Sequence, residues 1–314
     1  MVAWRRRLLA FGLCIGLLLF SRQVWVSLKA IQQGEVALVR PQWLLASLAC
    51  GVLVFALQLL AWVLIMRFLQ VSLPPRQVLR GFYLSFLPRY IPGSVWGYWS
   101  RSEWLEQEFG VTYGVSVMGS VLEALAAVLT GISLVCLDMS RHAAGLGRVG
   151  TLLGFAGILG FTLIAVPRLA TSLGQRVLRE KFHYSVAGAH AWHRWLAGVL
   201  SYLALWVAFG ASLHFALWAV SGEPPTDILT SISAASQSWI LGFIVVFVPT
   251  GLGIRELALS ALLVSQSGLS ARQADMVAVV SRFVLTLAEL GWLLVGLVMS
   301  ARRRSGSSST ERSG

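Results

Sequence analysis

Two groups of charged residues in this chain lie inside or beside long apolar segments, and each group accompanies a break made of proline and glycine. Ionisable side chains are costly inside a membrane, so those that occur there mark functional sites by default. A guanidinium offers a planar fork that suits phosphate oxygens, and the exposed amides of a glycine-rich break also attract an anion. The pattern therefore predicts a pocket for a phosphate-bearing group near the middle of the membrane. The candidate substrate-binding residues are Arg89, Pro92, Gly93, Arg101 and Glu123 in the first group, and Pro249, Gly251, Gly253, Arg255, Glu256, Arg282 and Glu289 in the second.

A structural interpretation of the same charges stays open, in which arginine and glutamate side chains neutralise one another and hold the segments together. Arg282 and Glu289 are seven residues apart, so on a helix they would face the same way. Residues for other chemistry are few, because the sequence contains neither a nucleotide-binding loop of the GxxxxGK[ST] type nor an HExxH motif. His183, His190 and His193 lie in a basic stretch that is typical of a membrane surface. We therefore predict no catalytic residue, no metal site and no cofactor.

The composition places these residues in a membrane protein. Of the 314 residues, 57% are hydrophobic and only 12% are charged, whereas about a quarter of the residues in a soluble domain are charged. This excludes a soluble enzyme, a disordered chain and a nucleic-acid-binding module. The formal net charge is +12, but the cations lie between the apolar runs, which is typical of a chain that crosses the membrane several times.

Six apolar stretches reach the roughly 20 residues that a helix needs to cross the hydrocarbon. They are Leu8–Val26, Trp43–Met66, Val115–Leu137, Thr151–Val166, Trp195–Val220 and Val277–Ser300. Tryptophans near the span ends, Trp62 and Trp195 among them, are predicted to be interfacial anchors. Two further apolar regions, Val78–Ser100 and Ser231–Leu263, contain the proline–glycine breaks. Because such breaks need protein or water around the freed backbone groups, we predict that both regions are broken or re-entrant helical hairpins.

The distribution of lysine and arginine predicts the orientation. With the N-terminus inside, six crossings return the C-terminus to the same side, and most cations then lie in the cytoplasm, in agreement with the positive-inside rule. We predict a multi-pass protein of the plasma (cytoplasmic) membrane with both termini cytoplasmic. Residues 1–304 form a single transmembrane domain, and the Ser/Gly-rich residues 305–314 are predicted to be a disordered cytoplasmic tail.

The two breaks resemble each other and lie half a chain apart. Pro92 is followed by Gly-Ser-Val-Trp-Gly and Pro249 by Thr-Gly-Leu-Gly, at an offset of 157 residues in a chain of 314. Each half, about 1–140 and 150–304, would contain three crossings and one hairpin, so the second half would be inverted relative to the first. The predicted fold is all-α, with six transmembrane helices, two broken hairpins and an inverted repeat of the kind found in secondary transporters. The alternative is a chance alignment of two common Pro-Gly breaks.

The segments around the breaks resemble a known membrane family. Leu87 to Arg101 reads Leu-Pro-Arg-Tyr-Ile-Pro-Gly-Ser-Val-Trp-Gly-Tyr-Trp-Ser-Arg, and together with Ser116 to Glu123 it is similar to the flippase-like membrane domain of lysylphosphatidylglycerol synthases. Val248 to Glu256 reads Val-Pro-Thr-Gly-Leu-Gly-Ile-Arg-Glu and resembles the second segment of that family, with Thr250 where a glycine is more usual. The resemblance extends over nearly the whole chain. It implies a multi-span fold with lipid-facing cavities, and lipid translocation as the usual assignment.

The resemblance and the charges together favour a lipid translocase over an enzyme. It would move an anionic phospholipid or a polyprenyl-phosphate-linked headgroup between leaflets through a cavity between the two hairpins, passively or coupled to an ion gradient through Glu123, Glu256 or Glu289. Full-length synthases carry a soluble aminoacyl-transferase domain after the membrane part, which this sequence lacks, so we expect no lysyl transfer. Two alternatives stay open, a membrane-embedded transferase acting on a lipid-linked sugar or phosphate and an accessory subunit of a cell-envelope enzyme. The expected partners are membrane lipids and, in the last case, cell-envelope biosynthesis enzymes, but no nucleic acid.

Overall fold

The fold of the computed structural model is helical, and no strand occurs in the residues that the structure describes. These are residues 40–85, 96–173, 191–222, 226–245 and 248–310, with Leu18, Ser21, Arg22, Trp25, Lys29 and Gln32. The helices are α1 (Pro41–Phe68), α2 (Pro75–Leu84), α3 (Trp96–Phe109), α4 (Tyr113–His142), α5 (Gly145–Gly160), α6 (Val166–Leu173), α7 (Trp192–Ser221), α8 (Ile228–Ile244), α9 (Ile254–Ser267) and α10 (Ala271–Thr310).

Five helical stretches within the described ranges are long and apolar enough to cross a membrane. They are Pro41–Phe68, Tyr113–His142, Gly145–Ala170, Trp192–Ser221 and Ala271–Met299. These stretches coincide with five of the six spans predicted from the sequence, and the remaining span, Leu8–Val26, lies almost wholly outside the described residues. The helices begin before the predicted windows because a helix can continue into the interfacial region beyond the hydrocarbon. Helix α10 continues to Thr310 and so includes residues 305–310 of the tail that the sequence predicts to be disordered.

A π-helical turn, Phe161–Ala165, joins α5 to α6 without interrupting the rod that the two helices form. Inside this turn, the carbonyl of Thr162 accepts a hydrogen bond of 3.0 Å from the indole N–H of Trp195. Both side chains are fully buried. The hydrogen bond attaches the rod formed by α5 and α6, which we call the outer rod, to the beginning of α7. Trp195 and Trp62, which were predicted to be interfacial anchors, are therefore core residues, with relative exposures of 0% and 1%.

Helices α1 and α7 pack against each other along their length and run in opposite directions. In the second turn of α1 the hydroxyl of Ser47 donates to the carbonyl of Ser212 at 2.7 Å, and the hydroxyl of Ser212 donates to the carbonyl of Ser47 at 2.9 Å. Further along α1 the backbone of Ala61 lies against Gly198, where a Cβ would be 3.7 Å from the Ala61 oxygen. Small residues let the two backbones approach closely, which is the usual way in which membrane helices pack.

At each end of this helix pair, an arginine at the start of one helix caps the C-terminal end of the other helix. The guanidinium of Arg40, just before α1, donates to the carbonyl of Gly222 at 3.4 Å, just after α7. The guanidinium of Arg194, in the first turn of α7, donates to the carbonyl of Arg67 at 2.9 Å, in the last turn of α1. Because the last carbonyls of a helix have no partner within the helix, the two arginines fix the pair at both membrane faces.

Two short helices flank each proline–glycine break. Helices α2 and α3 have 10 and 14 residues, and α8 and α9 have 17 and 14 residues. At 1.5 Å per residue each of them is shorter than the roughly 30 Å of hydrocarbon. The structure does not describe residues 86–95, so the predicted site residues Arg89, Pro92 and Gly93 lie outside the described residues.

We refer to each contacting pair of short helices, α2 with α3 and α8 with α9, as a hairpin; in both, a glycine of the first helix admits a large side chain of the second. A Cβ at Gly81 of α2 would lie 2.1 Å from the ring of Trp104 of α3, and a Cβ at Gly242 of α8 would lie 2.1 Å from the Cγ of Arg255 of α9. Real Cβ atoms do not approach other atoms so closely, so each hairpin depends on its glycine for the contact between its two helices.

The first helix of each hairpin packs against the last long helix of the other half of the chain. Helix α2 contacts α10, where Tyr83 stacks on Trp292 with ring centroids 4.8 Å apart. Helix α8 contacts α4, where the hydroxyl of Thr230 donates to Asp138 at 3.1 Å. The hairpins therefore connect the two halves, and the space between them is bounded by residues of both.

Candidate functional site

A cavity of about 170 Å³ lies between the two halves of the chain. Residues of α1, α3, α4, α7, α8, α9 and α10 form its walls, together with the second break. Its charged lining residues are Glu123, Arg255, Arg282 and Glu289. The cavity thus collects charged residues from both of the groups that the sequence singles out.

Glu123 is held at the cavity wall by Arg101. One guanidinium nitrogen of Arg101 lies 2.6 Å from a carboxylate oxygen of Glu123, and the two side chains are only 1% and 4% exposed. The Arg101 Nε donates to the hydroxyl of Ser85 at 3.3 Å, and the guanidinium lies over the rings of Trp62 and Phe82 at 5.2 and 4.5 Å. Arg101 does not line the cavity, so its role is to position and neutralise Glu123 from behind.

Glu256 and Arg282 fix the second break from two sides. One carboxylate oxygen of Glu256 accepts a hydrogen bond of 2.6 Å from the amide of Gly253, which satisfies a free N–H at the start of α9. The other oxygen lies 3.3 Å from the Nε of Arg282, and the Nη2 of Arg282 donates to the hydroxyl of Thr250 at 2.8 Å. Gly253 has φ 80°, which favours glycine. Buried Glu256 therefore holds the turn, while Arg282 both holds it and lines the cavity.

Arg255 reaches the cavity by crossing α8 at a point where only glycine fits. Its side chain passes over Gly242, and a Cβ at Gly251 would lie 2.8 Å from the Gly242 Cα. The guanidinium lies 5.8 Å from the ring centroid of Phe209 on α7, within the range of a cation–π interaction. The two glycines and the ring therefore determine where the positive charge of Arg255 lies.

Glu289 lies two helical turns after Arg282 on α10, and both residues line the cavity, in agreement with their seven-residue spacing. Gly251 also lines it, whereas Arg101 and Glu256 lie behind the wall. Pro249 belongs to the turn of the second break. Within the described residues, no group of three or more His, Cys, Asp or Glu residues could hold a metal ion.

The sequence analysis missed the aromatic wall of the cavity. Tyr202, Trp206 and Phe209 of α7 line it, together with Trp239 and Phe243 of α8. The rings of Trp206 and Trp239 meet edge to face at 5.5 Å, and Trp239 stacks on Phe243 at 5.0 Å. The spacing of the three α7 residues places them on one helical face, but it cannot tell which neighbouring helix that face meets. An aromatic wall beside buried charges can hold a molecule that is part apolar and part ionic.

Comparison with protein families gives one match, to the model described as the lysylphosphatidylglycerol synthase TM region, over residues 7–292. Comparison with curated proteins gave no match, and comparison with solved structures gave none either. The matched segment contains both breaks and every residue described as lining the cavity. The chain is thus a multi-pass membrane protein that belongs to the family of lysylphosphatidylglycerol synthase transmembrane regions.

Proposed function

We propose that this protein moves the headgroup of an anionic lipid, a phospholipid or a polyprenyl phosphate, between the two leaflets of its membrane. The family connects the chain with membrane lipids. The observation that carries the proposal is the cavity between the halves, whose lining contains Arg255, Arg282, Glu123 and Glu289 together with an aromatic wall. Charged side chains at membrane depth usually face such interior spaces and mark the route of a polar substrate.

Arg255 is the residue that we assign to the lipid phosphate. It lies in the first turn of α9, directly after the glycine-rich break, where the backbone also favours an anion. Arg282 also lines the cavity and binds Glu256 and Thr250; we assign it the roles of contributing charge and holding the break. In this proposal the acyl or prenyl chains stay in the bilayer while the headgroup passes the cavity.

We further propose that the two halves form an inverted repeat and that both hairpins are re-entrant. Shifting α3 by the 157-residue offset gives 253–266, and α9 is Ile254–Ser267; shifting α4 gives 270–299, and the last candidate span is Ala271–Met299. Helix α1 and its counterpart α7 run in opposite directions, as an inverted repeat requires. A cavity between inverted halves can open to one leaflet at a time by rocking of the halves.

The energy source and the orientation are part of the same proposal. Glu123 and Glu289 line the cavity, whereas Glu256 lies behind its wall, so Glu123 and Glu289 are the carboxylates that a permeating ion would meet; without coupling to an ion gradient the protein would be a passive scramblase. The cation distribution supports a plasma-membrane protein with both termini in the cytoplasm. Membrane lipids would be its partners.

Lipid movement in liposomes tests the proposal. The purified protein is reconstituted with a fluorescent anionic phospholipid, and an impermeant quencher reports how much of the label reaches the outer leaflet. Arg255→Lys keeps the charge and removes the planar fork, so we expect the rate to fall by about tenfold, which corresponds to one charge-assisted hydrogen bond. The matched control is Arg148→Lys, on the exposed surface of α5, which should move lipid at the native rate.

The outcomes separate the proposal from its alternatives. Label that is chemically changed during the assay would indicate a transferase, and mass spectrometry of the recovered lipid detects this. Equal rates for liposomes with and without the protein would refute translocation of that phospholipid, and the assay is then repeated with a polyprenyl phosphate as the other lipid of the proposal. An Arg255→Lys rate equal to that of Arg148→Lys would remove Arg255 from the site.

A further inference from the structure

A second pocket lies at one membrane face, where α1 ends and α7 begins. Its volume is about 350 Å³, and it shares no lining residue with the cavity between the halves. We call it the interfacial pocket and define it by Arg67, Gln70 and Ser72 from the end of α1 and the following turn, His193 and Arg194 from the first turn of α7, and Leu64 on its wall.

The interfacial pocket is basic and lacks a carboxylate among its described lining residues. Two arginines, a histidine, an amide and a hydroxyl face it, and all five of these side chains are exposed. In the cavity, by contrast, Arg101 is paired with Glu123 behind the wall and Arg282 with Glu256. Positive charge that no lining carboxylate balances attracts an anion, and two guanidinium groups suit phosphate oxygens.

A hydrogen bond between α7 and α1 positions one wall of the interfacial pocket without the need for a ligand. Arg194 donates through Nη1 to the backbone carbonyl of Arg67 at 2.9 Å, which holds its guanidinium at the junction of the two helices. The Arg67 side chain is not needed for this bond, because only its carbonyl takes part. Arg67→Gln therefore leaves this hydrogen bond in place, whereas Arg194→Gln removes it.

The position of the pocket identifies the source of the anion. Arg67 lies in the last turn of one candidate span, and Arg194 lies in the first turn of another. Basic residues at such span ends lie at the level of the phosphates of the adjacent leaflet, where basic pockets between helices bind lipid headgroups. Leu64 and Ala197 provide an apolar side for the start of an acyl chain.

We infer that the interfacial pocket binds the phosphate headgroup of an anionic phospholipid from the leaflet at that face, at a site separate from the cavity. The lipid would bridge the end of α1 and the start of α7 and would stabilise the central helix pair. This inference does not depend on lipid translocation, because it concerns binding at the membrane surface.

Thermal unfolding of the purified full chain in detergent tests the inference. The unfolding midpoint is measured against the concentration of short-chain phosphatidylglycerol, short-chain phosphatidylcholine or inorganic phosphate, because a ligand that binds the native state raises the midpoint. We expect phosphatidylglycerol to raise it and the other two probes to have little effect. Arg67→Gln and Arg194→Gln should each weaken the apparent affinity for phosphatidylglycerol by about tenfold, the loss expected for one charge-assisted hydrogen bond.

Two matched variants control for charge and for the cavity. Arg40→Gln removes a guanidinium that closes a helix end in the same manner at the other end of the pair, and it should keep the native affinity. In an Arg255→Gln background, where binding in the cavity is weakened, the losses caused by Arg67→Gln and Arg194→Gln should persist. Equal responses to phosphatidylglycerol and phosphatidylcholine, or an equal response to inorganic phosphate, would overturn the assignment of an anionic phospholipid. Native affinity in both Arg67→Gln and Arg194→Gln, or a loss confined to Arg255→Gln, would overturn the site.

Discussion

Arg101 of α3 lies 2.6 Å from Glu123 of α4, and both side chains are almost completely buried. The second half of the chain has an ion pair between α9 and α10 with the charges exchanged, since α9 contributes Glu256 and α10 contributes Arg282, 3.3 Å apart. Each pair fixes the second helix of a hairpin to the long helix that follows. Of these two pairs, the first presents its carboxylate, Glu123, to the cavity, and the second presents its guanidinium, Arg282.

The first prediction concerns the pair Arg101–Glu123. Glu123→Gln leaves a buried guanidinium without its counter-charge, and Arg101→Gln leaves a buried carboxylate, so each should cost roughly 3–5 kcal/mol of stability. The double variant buries neither charge and should recover much of the loss. Chemical unfolding of the purified variants, followed by tryptophan fluorescence, gives the three free energies. Additive losses in the double variant would show that the two side chains do not depend on each other.

The second prediction concerns Gly242, which Arg255 crosses. Gly242→Ala places a methyl group 2.1 Å from the present position of the Arg255 Cγ, so the arginine must move and lipid movement should fall to the level of Arg255→Ala. Overpacking of this kind typically costs about 1–3 kcal/mol. In an Arg255→Ala background the clash with Cγ is gone, and Gly242→Ala should then cost little stability.

Gly157→Ala is the matched control for that experiment, because a Cβ there meets nothing within 4 Å. It should change neither lipid movement nor the unfolding midpoint. Unimpaired lipid movement by Gly242→Ala would mean that the position of Arg255 above α8 is irrelevant to function.

The third prediction concerns Asp227, which lies before α8 and outside the candidate spans. Its carboxylate pairs with Arg141 and accepts a hydrogen bond of 2.9 Å from the amide of Thr230. These partners, Arg141 foremost, lower the pKa of Asp227 to about 2, below the value of about 3.9 of an unfolded chain. The stabilisation is therefore complete above about pH 4 and is lost as the pH falls towards about 2.

Asn at position 227 can still cap α8, so Asp227→Asn isolates the ionised carboxylate. We expect the wild type to have the higher unfolding midpoint at neutral pH and the difference to disappear near pH 2. Because the other carboxylates titrate alike in both proteins, only the difference between the two midpoints is interpreted. A difference that stays constant from neutral to acidic pH would contradict the assignment.

The fourth prediction tests the proposal that both hairpins are re-entrant. Cysteines are introduced one at a time at Ser72, Glu106, Ser221 and Ser270 after the native Cys14, Cys50 and Cys136 have been replaced. An impermeant thiol reagent on intact cells should label Ser221→Cys and Ser270→Cys, and it should reach Ser72→Cys and Glu106→Cys only after permeabilisation. Opposite labelling of the two ends of either hairpin would mean that its helices cross the membrane.

The long helices could be predicted from the sequence because 20 apolar residues have few other ways to fold. Pairing of arginine with glutamate was one interpretation of the sequence, but the partners could not be predicted, since Arg101 and Glu123 are 22 residues apart on different helices, and only the packing of α3 on α4 brings them together. Periodicity correctly placed Arg282 and Glu289 on one face of α10, but it did not indicate that Arg282 would also bind Glu256 and Thr250. For the same reason Trp62 was misassigned to the interface, because burial by Phe82 depends on a neighbouring helix.

The π-helical turn Phe161–Ala165 makes the outer rod sensitive to deletion of a single residue. A π turn contains one residue more than an α-helix would need there, so removing one residue would return the rod to regular α geometry. In regular α geometry each carbonyl accepts a hydrogen bond from the amide four residues further on, whereas in this turn the amide of Val166 donates to the carbonyl of Phe161, five residues back. The carbonyl of Thr162 would also turn away from Trp195, leaving a buried indole N–H without its acceptor. The turn thus keeps available the carbonyl that joins the outer rod to α7.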